Sequence, residues 1–195
     1  MRSGDPVTTD PKGEVPRRAA RPSAAAGYNT PALVTTTDAY GGPLDPWFVT
    51  GLTEGEGCFC ISLSLRPKLR WRIEVRPSFS LSLNEKDRAL LQDLQTYFGC
   101  GWIRESKSDR TFKFESRSVS ELVESVIPHF EEFPLRGSKA RSFDGFAHVC
   151  RMIEQGDHLQ RSGLVEIVGI ASELNLGRRR HDQATLLRVL GEVKG

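Results

Sequence analysis

The chain has 195 residues, of which 38% are hydrophobic and 27% charged; its 27 basic and 25 acidic side chains leave a net charge of +2. One domain with a tail fits this length. The composition excludes a membrane span, because no apolar run approaches the roughly 18 residues one needs, and four cysteines are too few for a disulfide framework.

The opening MRSGDPVTTD carries no apolar signal region. An intracellular setting is therefore expected, a bacterial cytoplasm or an organelle interior, with no secretion and no membrane partner. Residues 1–43 hold more than half of the eleven prolines, interspersed with Gly, Ala, Ser and Thr, and lack a sustained apolar period. Such a segment buries too little surface to offset chain entropy, so it reads as a disordered tail. The folded domain is expected over 44–180, with 181–195 a tail or short helix. Charge is unevenly distributed: residues 45–57 carry three acids and no base, whereas 58–117 carry twelve bases against seven acids.

The first helix is expected to begin at Asp45-Pro46, an N-cap followed by proline at the first helical position. It should run to Glu54 and break at Gly55-Glu56-Gly57. Cys58–Leu65 alternates strictly, with Phe59, Ile61, Leu63 and Leu65 on one face and Cys58, Cys60, Ser62 and Ser64 on the other. Lys68–Leu83 continues that alternation, so a second strand is expected there after a turn at Arg66-Pro67, with a bend or missing ladder bond at Pro77. Asn84 caps a helix ending at Gly99. Trp102–Glu105 and Thr111–Glu115 read as a second hairpin with Phe112 and Phe114 inward. Ser118 and Glu121 open another helix. After the loop Phe133-Pro134-Leu135-Arg136-Gly137, helices are expected at Lys139–Gln155 and Gly163–Asn175 (Gly177 at its C-terminal cap), and a short one at Ala184–Leu190. The order α-β-β-α-β-β-α gives an α+β domain, with helices on the apolar face of an antiparallel sheet and a polar face left open.

Three features carry chemistry. Arg66–Arg76 holds five bases against one acid, Glu74. A positive two-stranded ribbon fits the DNA major groove, where Arg and Lys pair with guanine and Ser is tolerant; a solvated strand face is the plain alternative. Glu54 and Glu56 sit where a helix macrodipole opposes negative charge, and a bound cation would relieve them. Carboxylates and carbonyls are the ligands Mg²⁺ prefers. Gly51 and Gly55, four apart with Thr50 beside them, would let two helices approach closely. The cysteines show no zinc spacing, and His129, His148, His158 and His181 are scattered. Arg178–Arg180 is either a phosphate contact or a solvated helix end.

Val49–Gly57, within WFVTGLTEGEGCF, resembles the LAGLIDADG motif. The element order, the FPLRGSK loop and GLVEIVGIASELNLGRRR also resemble the LAGLIDADG homing endonucleases, over about residues 44–180. The resemblance implies that a curved antiparallel sheet forms a DNA-binding saddle and that Glu56 is the metal-binding catalytic carboxylate. Glu54 and the Gly55 carbonyl would be the further metal ligands beside it. Arg136, or else Lys139, would be the active-site cation. It implies Mg²⁺ as cofactor, with Mn²⁺ able to substitute. A single motif implies a homodimer joined at Thr50, Gly51 and Gly55, cutting both strands of a long, roughly palindromic DNA target to leave short 3′ overhangs. Expected DNA contacts are Ser62, Ser64, Arg66, Lys68, Arg70, Arg72, Glu74, Arg76, Ser80, Ser82, Arg104 and Lys113. A non-cleaving binder on the same scaffold, such as a maturase acting on intron RNA, is the alternative.

Overall fold

The computed structural model describes residues 42–106, 110–174 and 181–193. The expected N-terminal tail, Gly177 and Arg178–Arg180 lie outside the described residues. Helix α1 (Pro46–Glu56) begins as its sequence suggests: Asp45 Oδ1 accepts the N–H groups of Trp47 and Phe48 at 2.9 and 3.1 Å. The glycines do not break it at Glu54. It continues through Gly55 and Glu56, and Gly57 ends it by donating its N–H to the Thr53 carbonyl. A Cβ at Gly57 would lie 2.4 Å from Thr53 Cγ2 and 2.7 Å from Thr53 O, so only glycine allows strand β1 (Gly57–Leu65) to start immediately.

Strand β1 pairs antiparallel with β2 (Ile73–Asn84), from Gly57 opposite Leu81 to Leu65 opposite Ile73. The strand expected from Lys68 starts five residues later, at Ile73. Residues 66–72 instead form a turn closed by bonds from the N–H groups of Arg66, Leu69 and Arg72 to the carbonyls of Arg72, Arg66 and Leu69. Arg72 adopts a left-handed φ of 56°. Leu69, expected inward, is exposed. Trp71 stays buried because the turn folds it onto the helices, where its indole N–H donates to the Leu159 carbonyl at 2.9 Å. Pro77 pairs with Ile61 in the part of β2 flanked by β1 alone; pairing with β4 begins at Phe79. A missing donor is tolerated at such an edge.

After a 3₁₀ turn capped by Asn84, helix α2 (Arg88–Phe98) ends at Gly99, with φ 64°. Strands β3 (Trp102–Ser106) and β4 (Thr111–Ser116) complete an antiparallel sheet of order β1-β2-β4-β3. Ser118 caps α3 (Val119–Glu121), while the Glu121 carboxylate accepts the Ser116 hydroxyl. The helix continues through a widened π turn at Leu122–Val126 into α4 (Ile127–Glu132). The wider turn precedes Pro128, whose ring would clash with a regular i−4 carbonyl. Helices α5 (Ser138–Glu154), α6 (Arg161–Leu174) and α7 (Gln183–Glu192) follow, α7 capped by Asp182.

The helices cover one sheet face. Phe59, Phe79, Phe98, Phe114, Phe130 and Phe146 form the centre of the main core, with Phe59 stacked on Phe79 at 5.1 Å. A second core joins Trp71 and Ile73 to Leu164, Val168, Leu186 and Leu190, so α6 and α7 hold the end of the first hairpin. Among the described residues the fold is a two-layer α+β domain with one sheet face uncovered. Among the described residues no helix is long and apolar enough to cross a membrane.

Candidate metal centre and nucleic-acid interface

The end of α1 meets the start of α5, and the two helices exchange charges. The Glu54 carboxylate crosses to the loop before α5, where Oε1 accepts the N–H groups of Arg136 and Gly137 at 2.6 and 2.7 Å. Gly137 makes this possible: a Cβ there would stand 2.7 Å from Glu54 Oε2. In return Lys139, in the first turn of α5, donates from Nζ to the carbonyls of Glu54 and Gly55 at 2.5 and 3.1 Å. An anion thus lies at one helix N-terminus and a cation at the other's C-terminus, the favourable sense for both macrodipoles. Lys139 thus puts one positive charge at the helix end where Glu54 and Glu56 lie.

Glu56 is the last residue of α1 and is exposed. Among the described residues its carboxylate has no hydrogen-bond or ion-pair partner. Of the three candidate ligands it alone keeps a whole carboxylate available. The Gly55 carbonyl retains one lone pair beyond Lys139, and Glu54 is occupied with backbone. No cluster of three His, Cys, Asp or Glu suited to a metal occurs among the described residues. One free carboxylate nonetheless suits Mg²⁺, which typically takes one or two and completes its shell with substrate phosphate and water. Lys139 brings its ammonium to this site, whereas Arg136 contributes only its backbone N–H there and has an exposed side chain.

Gly51 and Gly55 are exposed, and a Cβ at either meets nothing within 4 Å. Trp47 and Phe48, 49% and 47% exposed, lie on the same helix. Thr50 does not belong to that surface. It is 5% exposed, and its hydroxyl donates to the Phe133 carbonyl at 2.9 Å. With that proton committed, Thr50 Oγ1 accepts from His129 Nε2 at 3.2 Å, and His129 Nδ1 is left to accept from the Tyr97 hydroxyl at 3.0 Å. Burial lowers the His129 pKa to about 4 and raises that of Tyr97 to about 12. This relay holds the motif helix to α2 and α4. The histidine's place in it was not readable from local sequence, because its partners lie 79 and 32 residues away.

Of the expected DNA contacts, Ser62, Ser64, Glu74, Arg76, Ser82, Arg104 and Lys113 occupy the open sheet face, exposed or half-buried. Ser80 shares that face but is buried. Arg66, Lys68, Arg70 and Arg72 belong to the turn rather than to strands, and Arg70 lies over the Trp71 ring at 5.1 Å. Glu74 binds both Arg66 and Arg76, at 2.7 and 2.8 Å. These bonds, that from Arg66 foremost, lower its pKa. Glu115 and Trp102 also lie on this face and Arg117 lies just beyond it, although none is in the expected set. The alternation that turns Phe112 and Phe114 inward also places Glu115 on the open face.

A family model described as LAGLIDADG endonuclease matches residues 49–150. The chain is 33% identical over 148 residues to a protein named probable intron-encoded endonuclease 2 of Neurospora crassa, covering 74% of this chain and 32% of that protein. It is 29% identical over 104 residues to homing endonuclease I-ApeII of Aeropyrum pernix, covering 52% of this chain and 60% of the relative. The chain therefore spans about a third of the Neurospora relative's length. Among solved structures, the homing endonuclease I-TnaI superimposes with a TM-score of 0.68 at 33% identity, covering 77% of this chain and 99% of that one. The LAGLIDADG meganuclease I-CpaMI bound to uncleaved DNA gives 0.68 at 31% identity, over 78% of this chain and 50% of that one. Motif, architecture and relatives agree, and the chain belongs to the LAGLIDADG endonuclease family.

Proposed function

We propose that this chain is a site-specific, metal-dependent DNA endonuclease that works as a homodimer. The observation that carries the reading is Glu56: an exposed carboxylate without a partner among the described residues, at the end of the motif helix whose last carbonyls hold the Lys139 ammonium. A divalent cation such as Mg²⁺, or Mn²⁺ in its place, would polarise the scissile phosphate and acidify the attacking water. Glu56 would hold that cation, with the Gly55 carbonyl able to help. Lys139 is fixed by two carbonyls, so its ammonium is already oriented beside the reacting phosphate and needs little rearrangement. Arg136 is assigned no catalytic contact.

Dimerisation follows from the single motif and from the surface of α1. Gly51 and Gly55 leave open space where a second helix can approach, flanked by exposed Trp47 and Phe48. The near-complete coverage of I-TnaI and the half coverage of I-CpaMI support a domain that is doubled in use. Two Glu56 residues would serve the two strands, leaving short 3′ overhangs. The two-fold axis calls for a long, roughly palindromic target. The open sheet face and the turn at 66–72 would read that DNA through Arg, Lys and Ser side chains.

The test uses DNA from the host locus without an intron insertion, incubated with the protein and Mg²⁺, then with EDTA. A double-strand cut that EDTA abolishes is expected. Tight binding with no cut would favour the non-cleaving reading.

A further inference from the structure

A buried carboxylate lies under the open sheet face, two strands from the end of the motif helix. The pairings Cys58–Ser80, Ser80–Glu115 and Glu115–Trp102 form one row across all four strands. This row begins two residues after Glu56. Glu115 is 3% exposed. Its oxygens face three cations from different positions: Arg104 Nε on β3 at 3.5 Å, Lys113 Nζ on β4 at 3.6 Å, and Arg117 Nη2 just after β4 at 3.0 Å. The contacts to Oε2 are ionic in character, since no donor points at it in hydrogen-bond geometry. Arg117 also lies over the exposed Trp102 ring at 5.8 Å.

A carboxylate this deep cannot reach a base edge. The cations around it can, because the Arg104 and Arg117 side chains are about half exposed. Long flexible side chains lose rotamer freedom when they bind, and an anion at their base restricts them beforehand. The same anion offsets part of the local positive charge, which otherwise attracts any phosphate backbone. Burying a carboxylate is costly unless cations surround it, and three cations surround Glu115.

We propose that Glu115 is a positioning residue for DNA recognition: it holds Arg104, Lys113 and Arg117 as a fixed fan over the sheet and restrains sequence-independent binding. The inference rests on the DNA-contact reading above and adds a specificity role for a residue that touches no DNA.

The test compares the affinity of the full chain for two duplexes, one selected by the wild-type protein from a randomised pool and one with the selected sequence scrambled. Glu115→Gln preserves shape and removes the charge. The expected result is a fall of about tenfold in the selected-to-scrambled affinity ratio, the scale of one lost base-reading contact. The scrambled duplex should bind more tightly, with a salt dependence steeper by about one phosphate contact. Glu115→Asp should restore part of the ratio. A purely structural role would lower the thermal midpoint and leave the ratio unchanged, and that outcome overturns the proposal. Arg117→Gln, at a half-exposed side chain, guards against a variant that fails to fold: it should lower the same ratio, and an unchanged ratio would count equally against the proposal. If the wild-type protein enriches no duplex from the pool, the DNA-contact reading itself fails, an outcome distinct from a variant that behaves like wild type.

Discussion

Lys139 Nζ bonds the carbonyl oxygens of Glu54 and Gly55 at 2.5 and 3.1 Å, so the first turn of α5 caps the last turn of the motif helix. The ammonium is thereby held at the end of the motif helix that carries Glu56, although Lys139 and that helix are far apart in sequence. Lys139→Met should lower the cleavage rate by on the order of a hundredfold, the usual effect of losing one preorganised charge-stabilising donor. Duplex binding should fall far less. Arg136→Ala should leave cleavage nearly unchanged, because Arg136 serves this junction through its backbone N–H. Single-turnover cleavage of the selected duplex by the two variants checks both outcomes.

Glu54 is the reciprocal half of that junction. Its carboxylate accepts two backbone N–H groups of the loop before α5. Glu54→Ala should cost about 1–2 kcal/mol of folding stability, the scale of lost charge-assisted hydrogen bonds at a part-exposed site. Urea denaturation measures this. A loss of cleavage without a loss of stability would return Glu54 to the list of metal ligands.

His129 gives the fold a pH dependence. Its folded-state pKa is lowered by burial from 6.5 to about 4. Below pH 6.5 the unfolded chain takes up a proton that the folded chain refuses. The neutral-histidine contribution is therefore complete above pH 6.5, diminishes as pH falls towards 4, and is gone below it. The total is on the order of 3 kcal/mol. Urea midpoints between pH 7 and pH 4.5 should decline for the wild type, and the decline should flatten in His129→Gln.

Gly51 separates folding from assembly. A Cβ there meets nothing within 4 Å beyond its own helix backbone, and any residue other than glycine or proline improves an exposed helix position by up to about 1 kcal/mol. Gly51→Leu should thus fold at least as well as wild type while remaining monomeric and failing to cut both strands. Sedimentation equilibrium of the two proteins decides the point.

Local chemistry made most of the elements readable. Asp45-Pro46, Asn84, Ser118 and Asp182 are side chains whose capping geometry depends on neighbours within three residues, and the alternation of β1 needs only period two. The turn at 66–72 was misread because Trp71 keeps the parity of an inward strand residue. Its burial comes instead from α6, α7 and the Leu159 carbonyl, all distant in sequence. At the candidate site, the motif marks Glu56 by position alone. The contact of Lys139 with the motif helix was not legible, since it depends on α5 starting at Ser138 and turning Lys139 towards α1. The charge count misled in the same way. Five bases against one acid over Arg66–Arg76 suggested a positive ribbon, yet Glu74 holds two of them, and Glu115 faces three cations from β3, β4 and the segment after it.

The central claim is that Glu56 does the chemistry and not the binding. Its most direct test measures binding and Mg²⁺-dependent cleavage of the selected duplex in the same samples, for the wild-type protein and Glu56→Gln. The account predicts unchanged affinity and no cut in either strand for the variant. Cleavage by Glu56→Gln at a rate near wild type would contradict it.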